Sequence, residues 1–433
     1  MRPRDHRIPD DALQRLAAGG GGAAAVRHLV AAEQSKHRLL MILMMRLSAD
    51  LRHPHAAAAE HAYELLAEAE KKQPGAVRGV IGHPAVGAWL KETVQALQRG
   101  EPGRPGPAQL GAVAAVAAVR AGLPCRAEVP APDGTIMLPA LGQIVLGTGA
   151  DGAGLVDLRV HAGGQVTAGG VHLRPDEPER PGWRPLRQVT TAQGDLTLLV
   201  DDLDPFRWPR ETVIEGRLPD GELNAWRAGL ESAWAMLRQH HWTIAEETRE
   251  IVSVLTPIQG PDQGMNSASQ GARFGAVAMS TPPDGRWLAS TFAHEVQHAK
   301  LGAILDVVRL LEPGKGTYYA PWRPDPRPLS GLIQGAYAYL GVSGFWRRQR
   351  AFEPDLRPHI EFAHWRESAH AVTGTLLDSG QLTATGERFV TSMRRTLSAW
   401  LAEPVPDEAL RAARQEAEAH RAAWGAGNEP VTG

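Results

Sequence analysis

The sequence predicts an α+β, predominantly helical protein, with a zincin-like metal helix in the C-terminal half and a small β-rich middle region. Three observations carry this. Apolar residues recur at helical spacing over residues 26–45, 56–72 and 223–238. Between about residues 121 and 205 the pattern changes to short apolar runs separated by Gly, Pro and Asp, which read as strands. The third is His294-Glu295-Val296-Gln297-His298, two histidines four apart inside a long apolar-periodic segment.

Residues 1–120 are Ala- and Leu-rich and read as a helical N-terminal region, punctuated by Gly19–Gly22 and by a Pro/Gly stretch at 102–107. Residues 121–217 form the β-rich middle domain, with strands expected at 135–138, 143–146, 155–160 and 196–200. Nothing in these two regions looks catalytic, and they read as scaffold or as a surface that holds a partner. Residues 218–433 form a mainly helical HExxH catalytic domain. Within it a helix at 223–238 is followed by strands at 250–257 and 273–280. The metal helix then runs over 286–311, bounded by Pro282-Pro283-Asp284 and by Pro313-Gly314. Four prolines between 321 and 328 exclude a helix or a central strand, so this segment is a stiff extended loop. Helices entering at Ser330 and running through 359–367 follow, and a polar Ala/Arg/Glu-rich helix closes the chain.

A formal net charge of −2 over 433 residues gives no electrostatic case for nucleic acid or an anionic membrane as partner. The single cysteine, Cys125, excludes an internal disulfide and a cysteine-based zinc ribbon, and fits a reducing compartment. It lacks a neighbouring histidine and reads as a buried small residue, not a nucleophile. No signal peptide is apparent, and the apolar run at 39–45 is too short to span a bilayer. The expectation is a soluble cytoplasmic protein.

Residues i and i+4 share one helix face, so His294 and His298 can close on one metal ion without distorting the backbone. Glu295 projects to the side, within reach of a metal-bound water or ligand. Leu301 and Leu305 continue the stripe of the two histidines and place the imidazoles on the buried side. The motif is chemically ambiguous. With a carboxylate it makes a zinc peptidase site, in which Glu295 is the general base. The same donors make a 2-His-1-carboxylate triad suited to Fe(II) and oxygen. Arg323 and Arg327, on the proline-stiffened loop, present planar forks suited to the distal carboxylate of α-ketoglutarate. The third ligand has Glu361 as its leading candidate, on a helix able to pack against the metal helix. Gln334, His359 and His364 are the alternatives.

The runs HEVQHAKLGAILD, YYAPWRPDPRPLSGLIQGAYAYLGVSGFW and EFAHWRE with LLDSG resemble the HExxH-type peptide-modifying proteins encoded beside radical-SAM maturases in ribosomal-peptide clusters. The likeness covers roughly the C-terminal half, and extends more faintly to PGWRPLRQVT, DDLDPFR and AAEQSKHRLL. It implies an Fe(II)- and α-ketoglutarate-dependent dioxygenase that uses O2 to hydroxylate the β-carbon of a residue in a ribosomally made precursor peptide. It also implies a radical-SAM maturase as a partner. Two other classes remain: a zinc metallopeptidase acting as leader peptidase or endopeptidase, and a non-catalytic peptide-delivery module.

Overall fold

The computed structural model describes residues 6–101, 106–147, 154–261 and 264–428, so part of the expected Pro/Gly stretch at 102–107 lies outside the described residues. In chain order six helices come first: α1 (Asp10–Ala17), α2 (Gly22–Asp50), α3 (Ala56–Lys72), α4 (Pro74–Ile81), α5 (Pro84–Gln98) and α6 (Leu110–Ala121). Strands β1 (Cys125–Pro130), β2 (Thr135–Leu138), β3 (Gly142–Val145), β4 (Leu155–Val160) and β5 (Val166–Ala168) follow. Then come β6 (Val171–Leu173), β7 (Trp183–Pro185), β8 (Arg187–Thr190) and β9 (Thr197–Val200). Helices α7 (Asp220–His240) and α8 (Trp242–Ile251) lead to β10 (Val254–Pro257), β11 (Ser267–Ala268) and β12 (Ala276–Met279). The rest is α9 (Gly285–Leu305), a short pair β13 (Thr317–Tyr318) and β14 (Arg327–Pro328), then α10 (Leu329–Gln349), α11 (Arg357–Asp378), α12 (Ala384–Leu401) and α13 (Asp407–Gly427). The fold is α+β and predominantly helical.

The chain divides into two compact units that are discontinuous in sequence. The first takes Ala31–Arg227 and Val252–Thr281; the second takes His6–Val30, Ala228–Ile251 and the described part of Pro282–Gly433. The expected division at 120 and 217 is therefore not where the units separate. The helices α3–α6 and the strands β1–β7 share one hydrophobic core, which includes Met41, Leu66, Trp89, Val113, Ile136, Leu158 and Trp183. Apolar residues surround α6 on all sides, and each residue from Leu110 to Ala118 is buried, so it is the helix the other elements enclose. The sheet β1-β4-β5-β6 and the smaller β2-β3-β7 are antiparallel. A five-stranded sheet, ordered β11-β12-β10-β9-β8, pairs β10 in parallel with both β9 and β12. Those two inner strands, VLTP and AVAM, are wholly buried, as continuous apolar runs in a parallel arrangement must be.

In the second unit α10 packs between α9 and α11, α11 carries α12 and α13, α8 lies along α9, and α1 lies on α12. Tyr337, Phe345 and Trp346 of α10 and Phe362 of α11 are completely buried. Each such side chain contributes about 1.5–3 kcal/mol by leaving water. Three local expectations change. The helix α8 occupies residues expected to begin a strand, and β10 starts at Val254. The helix α9 ends at Leu305, not Leu311, because the next backbone groups are taken elsewhere: Thr383 N donates to Leu310 O, and Glu312 N to Gln381 O. The proline-rich loop is closed at its base by the β13–β14 ladder.

Of the apolar run at 39–45, Met41 and Met44 are buried while Leu39 and Leu43 are exposed. Among the described residues no helix is long and apolar enough to cross a membrane. Cys125 is half-buried on β1, and burial pushes its thiol up to about 11, which removes it as a nucleophile at neutral pH.

Candidate metal centre

The metal helix begins at Asp284, whose carboxylate accepts the Trp287 backbone N–H at 2.8 Å and satisfies one orphan donor of the first turn. About three to four turns on, the imidazoles of His294 and His298 converge, with their Nε2 atoms 3.1 Å apart. Gln334 Oε1 lies 3.1 Å from His298 Nδ1. An amide oxygen only accepts, so this contact puts the His298 proton on Nδ1 and turns the Nε2 lone pair toward His294. Burial, and secondly the neighbouring His298, push the His294 pKa well below the ordinary histidine value. Both effects favour the neutral form, the form a metal requires.

The pair therefore fits two positions of a divalent metal site, with His298 held in orientation by a partner residue. The expected third ligand does not join them. Glu361 is buried on α11, but Trp365 Nε1 donates to its Oε2 at 2.6 Å and Arg357 pairs with its Oε1. Arg357, Glu361 and Trp365 are spaced i, i+4, i+8 on one helix face, so the carboxylate is claimed by its own helical neighbours. Among the described residues no third His, Cys, Asp or Glu completes a metal-holding group. His364 is engaged with the Ala413 carbonyl, 3.3 Å from Nδ1. Of the alternatives, Gln334 is the one in contact with the pair. Glu295 is almost fully buried beside it.

An aromatic wall, which sequence reasoning missed, stands next to His294. Tyr339 meets the His294 ring edge-on, with centroids 5.1 Å apart at 77°. Tyr339 is stacked on Trp365 at 3.9 Å and 24°, and on Trp322 at 4.9 Å and 27°. Burial raises the Tyr339 pKa, the carboxylates of Glu361 and Glu295 raise it further, and Arg323 opposes them. Two glycines of α10 allow these approaches. A Cβ on Gly335 would lie 2.3 Å from the Trp322 indole, and one on Gly341 would lie 2.6 Å from Ala293 O on the metal helix. The contacts of 298 with 334 and of 293 with 341 show that α9 and α10 run in opposite directions.

Arg323 and Arg327 do form ion pairs, as one carboxylate serves both: Arg323 Nε and Arg327 Nη1 each donate to Asp325 at 3.0 Å. The side chains remain 52% and 36% exposed. Arg323 is near enough to act on Tyr339. The loop is gripped by α13. Tyr319 Oη lies 2.9 Å from His420 Nδ1, Arg421 lies over the Tyr319 ring at 4.6 Å, and Asn428 donates to Pro324 O at 2.8 Å.

The opposite face of α9 holds a buried lysine. Lys300 pairs with Glu247 at 2.9 Å and donates to Gly20 O at 3.0 Å, while Gln297 Nε2 donates to Gly19 O at 2.9 Å. The Gly19–Gly22 punctuation thus becomes a turn seated on the metal helix. Two of the three fainter motif blocks, PGWRPLRQVT and DDLDPFR, in contrast, meet in the first unit as a charged knot. Arg187 pairs with Asp202, Arg217 Nε reaches the same carboxylate at 3.0 Å, and Arg273 donates to Phe206 O. When the chain is compared with known proteins, no family model and no curated protein matches it.

Proposed function

We propose that the chain is an Fe(II)- and α-ketoglutarate-dependent dioxygenase that hydroxylates the β-carbon of a residue in a ribosomally made precursor peptide, working beside a radical-SAM maturase. The observation that carries this reading is the placement of the arginine-bearing loop. Trp322, next to Arg323, stacks on the tyrosine that touches His294. Arg323 is thereby close enough to act on the tyrosine beside the two imidazoles, which supports a carboxylate-binding role for its fork. When bound, iron with α-ketoglutarate and O2 would supply a two-electron oxidation coupled to release of succinate. His294 and His298 would hold the metal through Nε2, with Gln334 keeping His298 in orientation. Glu295, buried beside them, would accept a hydrogen bond from a group in the site. Arg323 would fork onto the distal carboxylate, with Arg327 and Asp325 bracing it. The wall of Tyr339, Trp322 and Trp365 would flank a ligand on the His294 side.

The test measures metal content and succinate release together. The parent is expected to bind one divalent ion and to release succinate under air with Fe(II) and its peptide. His294→Ala and His298→Ala are each expected to weaken metal binding by more than the roughly 10–100-fold typical of losing a supporting residue. Arg323→Ala is expected to keep its metal but to raise the half-saturating α-ketoglutarate concentration about 10- to 100-fold, as loss of roughly 1.5–3 kcal/mol of charge-assisted hydrogen bonding requires. Arg327→Ala is expected to do so less. Peptide cleavage with Zn(II) and no succinate would move the peptidase to first place. Peptide binding that survives loss of both histidines, without turnover, would favour the delivery module.

A further inference from the structure

We propose that the solvent-facing stripe of α9 is where the peptide lies. Trp287, with Asp284 and Asp355 near it, is then a subsite for a lysine or arginine three residues from the one presented to His294 and His298. The proposal rests on the peptide-modifying reading and narrows its substrate class. Every α9 residue that is not buried, Arg286 and Ala299 excepted, falls on one line: Trp287, Thr291, His294, His298, Gly302 and Leu305. Spacings of three and four keep these residues on a single face, and Asp284 at the N-cap extends the line by one turn. The helix α10 forms a wall along it. Its Trp346 meets Trp287 edge-on with centroids 6.2 Å apart, and its Tyr339, seven residues earlier, meets His294, seven residues later. Trp346 is buried, while Trp287 remains 37% exposed, so an indole lies open on the same face as the two imidazoles.

The charge around this indole selects the occupant. Arg286 pairs with Glu353 at 2.7 Å and with Asp355 at 3.3 Å, and Asp284 acts on the same guanidinium. Three carboxylates against one cation leave a surplus of negative charge, and Asp284 and Asp355 are both exposed. An open indole beside surplus carboxylate suits a long basic side chain, whose methylenes lie on the ring while its head meets the carboxylates. On the loop beside Tyr339 the surplus is reversed, because Arg323 and Arg327 share Asp325, so a basic side chain is directed to the Trp287 end. Spacing sets the register. Seven helix residues put Trp287 about 10 Å from His294 along the axis. A peptide in polyproline II conformation returns to the same face every three residues, about 9 Å on. A β-strand does so after two or four residues, at about 7 or 13 Å. Three residues is the separation that fits.

The test uses the full chain without metal and a phage-displayed library of short random peptides, selected on the parent and depleted on Trp287→Ala. Surviving peptides are synthesised and titrated by fluorescence anisotropy. They are expected to carry Lys or Arg, and Trp287→Ala is expected to weaken them about 3- to 30-fold, the range for a cation held on an indole. Trp287→Phe, which keeps an aromatic face, is expected to restore part of the affinity. Asp284→Asn combined with Asp355→Asn keeps the oxygens that accept the Trp287 and Arg357 backbone N–H groups but removes two charges. It is expected to weaken binding and to flatten its salt dependence, and it does not rely on Trp287→Ala folding. For the register, a benzophenone side chain is placed two, three or four residues from the basic one. Photocrosslinking to the segment holding His294 and His298 is expected to be strongest at three. Overturning results are a selection that yields no peptide sensitive to Trp287→Ala, binders without a basic residue, or salt dependence unchanged in the Asn variant. Strongest crosslinking at two or four overturns the register. Succinate release decides the dioxygenase reading and plays no part in this binding measurement, so either can fail while the other stands.

Discussion

The amide of Gln334 determines which nitrogen of His298 is available, and a single substitution tests this. Gln334→Leu removes the acceptor at Nδ1, and metal affinity measured by calorimetry with Co(II) or Zn(II) is expected to fall about 10–100-fold. Gln334→Glu keeps an oxygen at that position and is expected to restore affinity to the parent value or above. Equal affinity for all three proteins would show that the amide only fills space. At this scale the sequence is informative about spacing and poor about partners. The i, i+4 rule places two imidazoles together wherever the helix forms, so His294 and His298 were legible. The same rule, applied to Glu361, would have shown Arg357 and Trp365 waiting one turn to either side. Tyr339 was not legible, because nothing in the sequence says which face of α10 meets the metal helix.

Helix existence was readable from periodicity, but helix ends and crossings were not. The last turn expected of α9 is given up because residues 381–383, far along the chain, offer its backbone better partners. The α9–α10 crossing depends on a missing side chain. An alanine Cβ at 341 would meet Gln297 Cγ at 2.5 Å and Ala293 O at 2.6 Å. The second of these is backbone and cannot swing aside. Gly341→Ala is therefore expected to cost about 1–3 kcal/mol, as overpacking does, and to weaken metal binding because Gln334 and Tyr339 move away from the histidines with α10. Gly75→Ala, where a Cβ meets nothing within 4 Å, is the control and is expected to be neutral or slightly stabilising. Thermal unfolding of the two variants side by side decides the matter; matching midpoints would mean that the crossing tolerates a methyl group.

Consecutive composition blocks do not reveal units assembled from separated segments, and both units here are of that kind. The helices before residue 120 and the strands after it differ in pattern yet fill one core. In the second unit the link between distant segments is Lys300, fully enclosed and paired with Glu247. Burial lowers its pKa and Glu247 opposes that shift. Lys300→Met leaves a buried carboxylate without its partner and is expected to cost about 3–5 kcal/mol in urea unfolding, followed by a signal from the second unit. Adding Glu247→Gln is expected to recover much of that loss. A single variant as stable as the parent would show that Glu247 finds water or another cation.

The carbonyls of the turn at Gly19 and Gly20 accept from a lysine 281 and 280 residues further on. At the usual pace of synthesis, about 5–20 residues per second, the turn leaves the ribosome roughly 15–60 s before the lysine does. Closing so long a stretch is entropically cheap per added residue, since the cost grows only with the logarithm of length. The waiting time matters more. An eight-residue helix such as α1 is marginal in water alone, so this segment spends the interval with its apolar face unprotected. Chaperone capture during synthesis would therefore be concentrated on α1 and the glycine turn, and the metal helix would be among the last parts of the chain to find all its neighbours.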